Sequence, residues 1–211
     1  MTHRLCATKI NVPNVRGKLR MKLLEERIRQ DGVVIGDDIL KVDRFLNHQM
    51  DPMLFKAMAE EWKRLFAKDK VNKILTIEAS GIGIACIVGL VFECPVVFAK
   101  KSKTRNTPED CYMATVRSFT RGIISDVTVS KNYLGPSDRV LIIDDFLATG
   151  EAAEGLINLV NQAGAHLCGI GIAIEKSFQP GGKKLREAGV KVESLARVGT
   201  MSEHEGISFI D

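Results

Sequence analysis

Residues 140–150 read V-L-I-I-D-D-F-L-A-T-G, so four aliphatic residues run into two adjacent acids and then into a short loop of small and hydroxyl-bearing residues. Four consecutive aliphatic residues are typical of a strand that is buried on both faces of a parallel sheet. Ligands of such sheets collect just beyond the carboxyl ends of the strands. The stretch therefore predicts that Asp144 and Asp145 face a bound ligand.

The loop that follows the acids has the composition of an anion site. From Ala148 the chain reads A-T-G-E-A-A, at the start of a predicted helix over residues 151–162. Successive backbone N–H groups that turn inward ahead of a helix bind phosphate groups. The alternative is that the acids only end the strand and cap the helix, but one acid suffices for a cap. Two carboxylates beside a phosphate-binding loop indicate a ribose phosphate as ligand.

This pattern resembles the 5-phosphoribosyl 1-pyrophosphate (PRPP) motif of the type I phosphoribosyltransferase family. In that family the acidic pair holds the 2- and 3-hydroxyls of the ribose, and the loop holds the 5-phosphate. The resemblance implies that Asp144 and Asp145 are the catalytic residues. It also implies that the loop residues that bind PRPP are Ala148, Thr149, Gly150, Glu151 and Ala152.

The composition is that of an ordinary globular protein. A chain of 211 residues with 45% hydrophobic content can form one domain with a core. No apolar run approaches the roughly 18 residues of a membrane-spanning helix, and the N-terminus lacks the apolar region of a secretory signal. Five cysteines without a C-x-x-C pair argue against a disulfide framework or a zinc site. We therefore expect a cytoplasmic protein that does not bind membranes.

The basic charge balance comes from the N-terminus. Residues 1–20 contain five basic side chains and no acid, which more than accounts for the net charge of +4. Nucleic-acid binding thus loses its compositional support, and we expect no such partner. Pro13 and Gly17 interrupt any amphipathic targeting helix. We expect residues 1–20 to be an extension that is disordered or not native, and residues 21–211 to form the phosphoribosyltransferase domain.

Strands alternate with helices along most of the chain. Strands are predicted at residues 73–77 and 96–99, in the stretch that begins at Val140, and at 166–175 and 191–196. Helices are predicted at residues 22–30, 82–91, 151–162 and 183–187, with a long one that Asp51 and Pro52 begin. Residues 113–119 and 123–130 alternate apolar and polar side chains and predict a hairpin. This βαβ pattern indicates an α/β fold with a mainly parallel, twisted sheet flanked by helices.

A second loop is a candidate for the pyrophosphate of PRPP. The residues Glu78, Ala79, Ser80 and Gly81 lie where a predicted strand passes into a helix, so their amides and the Ser80 hydroxyl could hold a phosphate. Alone, such a turn of small residues is usually only a turn. PRPP carries two phosphate groups that need separate binding loops, and in the family this loop takes the pyrophosphate. We therefore assign these four residues to PRPP binding.

A basic run follows the next predicted strand. Lys100, Lys101, Lys103 and Arg105 belong to a polar segment that we expect to be a mobile surface loop. A solvated loop without function is the alternative. Cations that close over the leaving pyrophosphate would stabilise its charge and exclude water. The family has a flexible catalytic loop here, so we predict that Lys100 and Lys101 bind PRPP.

A candidate base site lies near the end of the chain. Lys176 ends an aliphatic strand and precedes Phe178, so its ammonium could donate to a purine 6-oxo group while the ring stacks on the base. The alternative is a surface lysine. The segments L-K-V-D-R-F-L-N-H-Q-M-D-P at 40–52 and I-E-K-S-F-Q-P-G at 174–181 resemble the bacterial xanthine phosphoribosyltransferase family. The resemblance implies that Leu40 and Asn47 line the xanthine site with Lys176.

The same resemblance implies an activity and its partners. The family transfers the phosphoribosyl group of PRPP to N9 of xanthine, which gives XMP and pyrophosphate in purine salvage. It implies a small hood over the base, built from the N-terminal segment and the C-terminal stretch, and a homodimer. We expect Mg²⁺ to be held mainly by PRPP oxygens and waters, with no direct protein ligand. Two alternatives stay open: a hypoxanthine or guanine phosphoribosyltransferase, and a PRPP-sensing purine regulator without catalysis.

Overall fold

A large sheet with helices on both faces forms the centre of the molecule. The computed structural model describes residues 18–102, 110–117 and 124–211. The helices are α1 (Lys18–Asp31), α2 (Pro52–Leu65), α3 (Ser80–Phe92), α4 (Glu151–Gln162) and α5 (Gly181–Glu187), with a π-helical turn at Asp43–Asn47. The strands are β1 (Val33–Ile35), β2 (Ile39–Lys41), β3 (Lys73–Ile77), β4 (Val96–Ser102), β5 (Cys111–Arg117), β6 (Ile124–Ser130), β7 (Arg139–Leu147), β8 (His166–Lys176), β9 (Val192–Ser202) and β10 (Gly206–Phe209).

The strand order confirms the predicted α/β fold. Among the described residues, eight strands form one sheet in the order β10-β9-β8-β7-β3-β4-β6-β5. The five strands from β9 to β4 run parallel to one another. The strands β10, β6 and β5 pair antiparallel at the two edges. The predicted hairpin is the β5–β6 pair, whose turn lies outside the described residues.

The aliphatic run of β7 is buried because helices cover both faces of the sheet. Leu141 and Ile143 belong to a core that includes apolar residues of α2 and α3. Val140 and Ile142, which point to the other face, belong to a core that includes apolar residues of α4. Successive side chains of a strand alternate between faces, so a run with no polar residue requires cover on both. The central position of β7 follows from this pattern.

The α2 helix forms as its sequence predicts. The Asp51 carboxylate caps its amino end, since Oδ1 accepts hydrogen bonds from the amides of Met53 and Leu54 at 3.1 Å each. The apolar stripe of this helix is buried at Leu54, Met58, Trp62 and Phe66. The indole Nε1 of Trp62 donates to the carbonyl oxygen of Glu193 at 3.1 Å. This bond joins α2 to β9 across the core.

No helix in the described part of the chain is long and apolar enough to span a membrane.

Some elements differ from the sequence prediction at the edges of the sheet. The strand β4 runs on to Ser102, so Lys100 and Lys101 lie in a strand and not in the surface loop predicted for them. The strand continues here because β6 pairs antiparallel with it, with Thr128 opposite Lys100 and Val127 opposite Lys101. Likewise β9 extends beyond Ala196 because β10, which the sequence reading missed, pairs with its end. Helix α1 begins at Lys18, within the segment 1–20, and residues 1–17 lie outside the described residues.

A buried acid links the parallel strands β8 and β9 to helix α5. Glu175 on β8 is 1% exposed. Its carboxylate accepts two hydrogen bonds from the guanidinium of Arg186, both at 2.7 Å, and a third from the hydroxyl of Ser194. Burial opposes ionisation of Glu175, but the bonds from Arg186 and Ser194 outweigh it and hold its pKa below the ordinary value. The group is therefore a carboxylate that joins β8, β9 and α5.

We expect Glu175→Gln to lower the free energy of unfolding by about 3 kcal/mol at neutral pH, because the change breaks a buried pair and leaves Arg186 without its partner. The lowered pKa of Glu175 makes this stabilisation fully present above the ordinary value of 4.5, and it is lost as the pH falls through the lower pKa of the folded state. Denaturant unfolding of both proteins at several pH values measures the difference, which should shrink in acid.

The matched control is Glu187→Gln, which removes a carboxylate from α5, the helix that carries Arg186. Glu187 forms an exposed i,i+4 pair with Lys183 at 3.8 Å, and such pairs contribute little to stability. Its unfolding should match that of the unaltered protein. Equal stability of Glu175→Gln and the unaltered protein at neutral pH would contradict the assigned role.

Candidate active site

The two aspartates lie near the carboxyl end of β7, in the interior of the sheet. Asp144 is 6% exposed and Asp145 is 8% exposed. The strand continues to Leu147, so the acids lie within its last residues and not after them. In the ladder, Asp144 lies beside Ile172 of the parallel strand β8. The predicted pair is thus held rigidly by neighbouring strands at the edge where ligands of parallel sheets bind.

Asp144 and Asp145 have few neighbouring groups that could compensate two buried negative charges. Burial, and then the adjacent charge of Asp145, raise the pKa of Asp144 well above its ordinary value. The amide of Asp145 donates to Asp144 Oδ1 at 3.0 Å, and the more distant charge of Lys101 also favours ionisation, but both are outweighed. Two neighbouring buried carboxyls ionise readily only when hydroxyl donors or positive charge arrive. The site therefore favours a ligand that brings such groups, such as a ribose ring.

The loop after β7 leads directly into α4. Gly150 has a φ of 95°, a left-handed conformation that favours glycine, and Glu151 begins the helix. No described side chain caps this helix end, which leaves its first amide groups available to an anion. The Oε2 atom of Glu151 is buried and has no hydrogen-bond partner within the described chain. The turn at Gly150 and the uncapped amides at the start of α4 suit a phosphate-binding loop at residues 148–152, whereas the Glu151 carboxylate is an acceptor and cannot itself bind an anion.

The second predicted loop reaches the acidic pair through a glycine. Ser80 starts α3, and Gly81 packs against β3 so closely that a β-carbon there would overlap the hydroxyl of Thr76 and lie 3.2 Å from Asp144 Oδ1. The hydroxyl oxygen of Thr76 is buried and unpartnered among the described residues. The structure therefore brings the loop of residues 78–81 against the acids, as two phosphate groups on one ribose require.

The end of β4 lies beside this second loop. The amide of Lys101 donates to Glu78 Oε1 at 2.5 Å. The side chains of Lys100 and Lys101 are exposed, and Lys100 Nζ lies 5.9 Å from the centre of the Phe98 ring. Both lysines thus stand at the edge of the loop of residues 78–81. The other cations of the basic run, Lys103 and Arg105, lie outside the described residues.

A cavity of about 470 Å³ opens next to the loop at residues 148–150. Its volume suits a small planar ligand such as a nucleobase. The residues that line it are Asp38, Ile39, Leu40, Asn47, Phe146, Ala148 and Lys176. The structure thus brings together Leu40, Asn47 and Lys176, which the sequence assigned to the base, with Ala148 of the PRPP loop.

The polar groups of the cavity are arranged to receive a polar base. The Oδ1 atom of Asn47 is buried and has no partner in the described residues. Lys176 donates to the backbone oxygen of Asp38, and its Nζ lies 5.8 Å from the centre of the Phe146 ring. Burial lowers the pKa of Lys176, although the charge of Asp38 opposes this. The unpartnered amide oxygen gains most from an N–H donor of the ligand, and the partly desolvated ammonium gains most from an oxo group.

One predicted base contact lies elsewhere. Phe178 is 44% exposed and is not part of the cavity lining, whereas Phe146 is. The sequence reading missed Phe146, although an aromatic residue immediately after the acidic pair was an available signal. It also missed Asp38 and Ile39, for which no local signal existed. These two come from the β1–β2 hairpin and reach the cavity only through the tertiary fold.

The β1–β2 hairpin forms the hood over the cavity. The two strands pair antiparallel, with Val34 opposite Leu40. In the turn between them, the amide of Gly36 donates to Glu203 Oε1 at 2.7 Å. Glu203 lies in the turn that joins β9 to β10. The N-terminal segment and the C-terminal stretch therefore meet here, as the predicted hood requires.

Comparisons with known proteins agree with this geometry. The family model for the phosphoribosyl transferase domain matches residues 41–195. A xanthine phosphoribosyltransferase of Ruminiclostridium cellulolyticum is 57% identical over 191 residues, which are 90% of this chain and 100% of the relative. One from Latilactobacillus sakei is 52% identical over 191 residues, 90% of this chain and 97% of the relative.

Solved structures share the fold. Adenine phosphoribosyltransferase from Rhodothermus marinus superimposes with a TM-score of 0.69 at 22% identity, over 86% of this chain and 99% of that one. The Giardia lamblia enzyme in complex with 9-deazaadenine also gives 0.69 at 22% identity, over 82% and 97%. With the family model and the high identity to curated relatives, these findings show that the chain belongs to the phosphoribosyltransferase family, within the group of the xanthine phosphoribosyltransferases.

Proposed function

We propose that the protein transfers the 5-phosphoribosyl group of PRPP to N9 of xanthine, which gives XMP and pyrophosphate for purine salvage. One observation carries the proposal: the buried pair Asp144 and Asp145 lies against the loop of residues 78–81, on the strand that leads into the loop of residues 148–152. The base cavity shares Ala148 with the latter loop. Identities of 51% to 57% with curated xanthine phosphoribosyltransferases support the choice of base.

The acids act on the ribose during transfer. Asp144 and Asp145 accept hydrogen bonds from its 2- and 3-hydroxyls, and these donors relieve the cost of two buried charges. As the bond between C1 and the pyrophosphate oxygen breaks and the bond to N9 forms, the ring carries positive charge. The fixed carboxylates stabilise that charge without reorganisation. No covalent nucleophile is needed, because N9 of the base attacks C1 itself, and the imidazole proton of the base passes to the released pyrophosphate or to water.

The two loops divide the phosphate groups of PRPP. Amides of residues 148–152 hold the 5-phosphate, with Thr149, Gly150 and Ala152 at the start of α4. The loop of Glu78, Ala79, Ser80 and Gly81 holds the pyrophosphate. Lys100 and Lys101 stand at the edge of that loop, where their charges balance the negative charge that grows on the leaving group. With the two phosphate groups held in this way, the bond between C1 and the pyrophosphate oxygen lies above Asp144 and Asp145.

Magnesium enters with the substrate. Among the described residues, no group of three or more His, Cys, Asp and Glu side chains stands close enough to hold a metal ion. The buried acidic pair offers carboxylate oxygens in a site that already repels a second negative charge, and this donor set suits an ion bound largely by PRPP oxygens and waters. When bound with PRPP, Mg²⁺ would neutralise pyrophosphate charge near Asp144 and Asp145.

Base recognition rests on Asn47 and Lys176. The ammonium donates to the 6-oxo group, and the amide of Asn47 donates to the 2-oxo group of xanthine. The same amide, turned over, accepts from the 2-amino group of guanine, so Asn47 alone does not reject guanine. For stacking on the purine, Phe146 is in the cavity, while Phe178 would have to move in from the surface. Leu40 supplies apolar contact from the hood.

The protein forms a homodimer through the outer face of α3 in this proposal. The helix S-G-I-G-I-A-C-I-V-G-L-V-F contains no charged residue, although one side of it faces outward. Leu90 is 74% exposed, and Met53 of the adjacent helix α2 is 72% exposed. Exposed apolar surface of this kind marks an interface. Each cysteine in the described residues is a free thiol, which fits a reducing cytoplasmic location.

We expect the double variant Asp144→Asn, Asp145→Asn to lower kcat/KM for PRPP by at least about 100-fold, because it removes the charges that stabilise the ribose in the transition state. Pyrophosphate release measures the rate. The control Asp138→Asn makes the same exchange at the opposite end of β7, where the side chain binds the amide of Gly135. Unchanged kinetics in the folded double variant would reject the role of the acids.

We expect Lys176→Met to raise the KM for xanthine by about 10- to 100-fold, the usual loss for a hydrogen bond to a charged group. The KM for PRPP should change little. Lys183→Met serves as the control, since that side chain is exposed on α5.

Initial rates with xanthine, guanine and hypoxanthine test the choice of base, and a rate with guanine that exceeds the rate with xanthine tenfold would contradict it.

We expect Leu90→Glu to convert the dimer into a monomer, because a charge buried in an apolar interface has no partner. Sedimentation equilibrium at micromolar concentration distinguishes the single chain of 23.3 kDa from twice that mass. Tyr133→Glu, a change at a residue that is 64% exposed elsewhere on the surface, is the control and should remain dimeric. A dimeric Leu90→Glu variant would exclude this face.

A further inference from the structure

The turn that follows the base-binding lysine touches the PRPP loop through backbone atoms alone. The amide of Gly181 donates to the carbonyl oxygen of Ala148 at 3.0 Å. A β-carbon at Gly181 would overlap that oxygen and would lie 2.6 Å from the nitrogen of Gly150 and 2.7 Å from the carbonyl carbon of Thr149. All three are backbone atoms, which cannot swing aside as the end of a side chain can. Any other residue at 181 would therefore displace the loop.

The contact is also tight from the other side, although less so. Gly150 has a φ of 95°, and a β-carbon there would lie 3.2 Å from the Cα atom of Gly181. The two glycines thus allow the two chain segments to pack backbone against backbone. Such an approach is closer than segments with side chains permit.

The hydrogen bond from Gly181 orients a phosphate-binding amide. In a trans peptide the C=O and the following N–H point in opposite directions. The carbonyl of Ala148 faces Gly181, so the N–H of Thr149 in the same peptide unit faces away from Gly181. In the proposed function, Thr149 is one of the residues that bind the 5-phosphate. Gly181 therefore sets the direction of a donor that it does not itself touch.

The turn is anchored on both sides of Gly181. Before it, the amide of Ser177 donates to the oxygen of Val198 at 2.8 Å, and the amide of Gln179 donates to the oxygen of Lys176 at 2.9 Å. The short path from Lys176 to Gly181 is therefore held to β9. Four residues, 177–180, therefore separate Lys176 from the residue that contacts the PRPP loop.

After Gly181, the helix α5 is held in place by charge. A β-carbon at Gly182 would overlap Oε1 of the buried Glu175, which itself binds Arg186 of α5. Lys184 forms an ion pair with Glu154 of α4, with 2.6 Å between Nζ and Oε1. The helix that Gly181 begins is thus fixed to the helix that follows the PRPP loop.

We infer that Gly181 is a positioning residue for the 5-phosphate of PRPP, an inference that rests on the proposed function. It contacts neither substrate. Its amide holds the Ala148–Thr149 peptide in the orientation that presents the Thr149 N–H, and its missing side chain leaves room for the loop. The turn that ends at Gly181 thereby holds the loop of residues 148–150 in place.

The test is Gly181→Ala, compared with the unaltered protein. We expect the KM for PRPP to rise at least tenfold, with kcat at saturating PRPP and the KM for xanthine within threefold of their original values. Ribose 5-phosphate, as a competitive inhibitor, should bind at least tenfold more weakly. Pyrophosphate should inhibit as before, because it occupies the loop of residues 78–81. Gly135→Ala is the matched control, since its added carbon meets nothing within 4 Å.

Equal weakening of ribose 5-phosphate and pyrophosphate would mean general damage and would overturn the inference, as would unchanged binding of both. If Gly181→Ala does not fold, amide hydrogen exchange of the unaltered protein gives the answer. Ribose 5-phosphate should slow exchange of the Gly181 amide, and pyrophosphate alone should not. Slowing of other amides by ribose 5-phosphate without change at Gly181 would overturn the inference.

Failure of the inference can be told apart from failure of the proposed function. If the unaltered protein releases no pyrophosphate from PRPP with xanthine, the proposed function fails whatever Gly181 does. If the unaltered protein is active and Gly181→Ala has the same affinity for ribose 5-phosphate, only the positioning role fails.

Discussion

The site depends on two adjacent carboxyls that the sheet buries without supplying enough donors for them. Asp144 and Asp145 lie within β7, each less than a tenth exposed, and burial together with mutual repulsion raises the pKa of Asp144. A fold gains nothing in stability from such an arrangement. In the proposed function it gains affinity for a ribose, whose hydroxyls and developing positive charge satisfy both groups at once. The rigid parallel ladder of β3, β7 and β8 holds the acids in place until that ligand arrives.

The surrounding loops approach the acids through glycines. Gly81 lets the start of α3 pack against Thr76 and Asp144, and Gly181 lets the turn after β8 pack against the loop at Ala148. In both places a single added carbon would overlap fixed atoms. The added carbon at Gly81 would meet side-chain atoms of the buried Thr76 and Asp144, and the one at Gly181 would meet backbone atoms, so neither contact yields easily. This rigidity suits transfer between two bound reactants, because their alignment accounts for much of the rate.

In the proposed function, the base is selected by the hood hairpin and by side chains of the cavity. Among the described residues, the hood hairpin is held by the packing of Val34 and Leu40 against the core, by the hydrogen bond from Gly36 to Glu203 and by the bond from Lys176 to the Asp38 carbonyl. The Lys176 ammonium has three N–H donors, so in the proposed function it binds a purine oxygen while it still holds the Asp38 carbonyl, and base binding and the position of the hood are connected. Asn47 can present either end of its amide. In the proposed function, a rigid phosphoribosyl site is therefore combined with a purine site whose amide can adapt to different bases.

The sequence by itself determined the parallel core, the acids at the end of β7, the capped helix at Asp51 and the loops at residues 78–81 and 148–152, because each depends on local periodicity or turn chemistry. Only the tertiary structure decided that Phe146 and not Phe178 lines the cavity, that Asp38 reaches it, and that Lys100 and Lys101 lie in a strand. These outcomes depend on segments far apart in the chain. A strand partner such as β6, or a contact such as Gly181 with Ala148, supplies free energy that no single stretch of sequence contains.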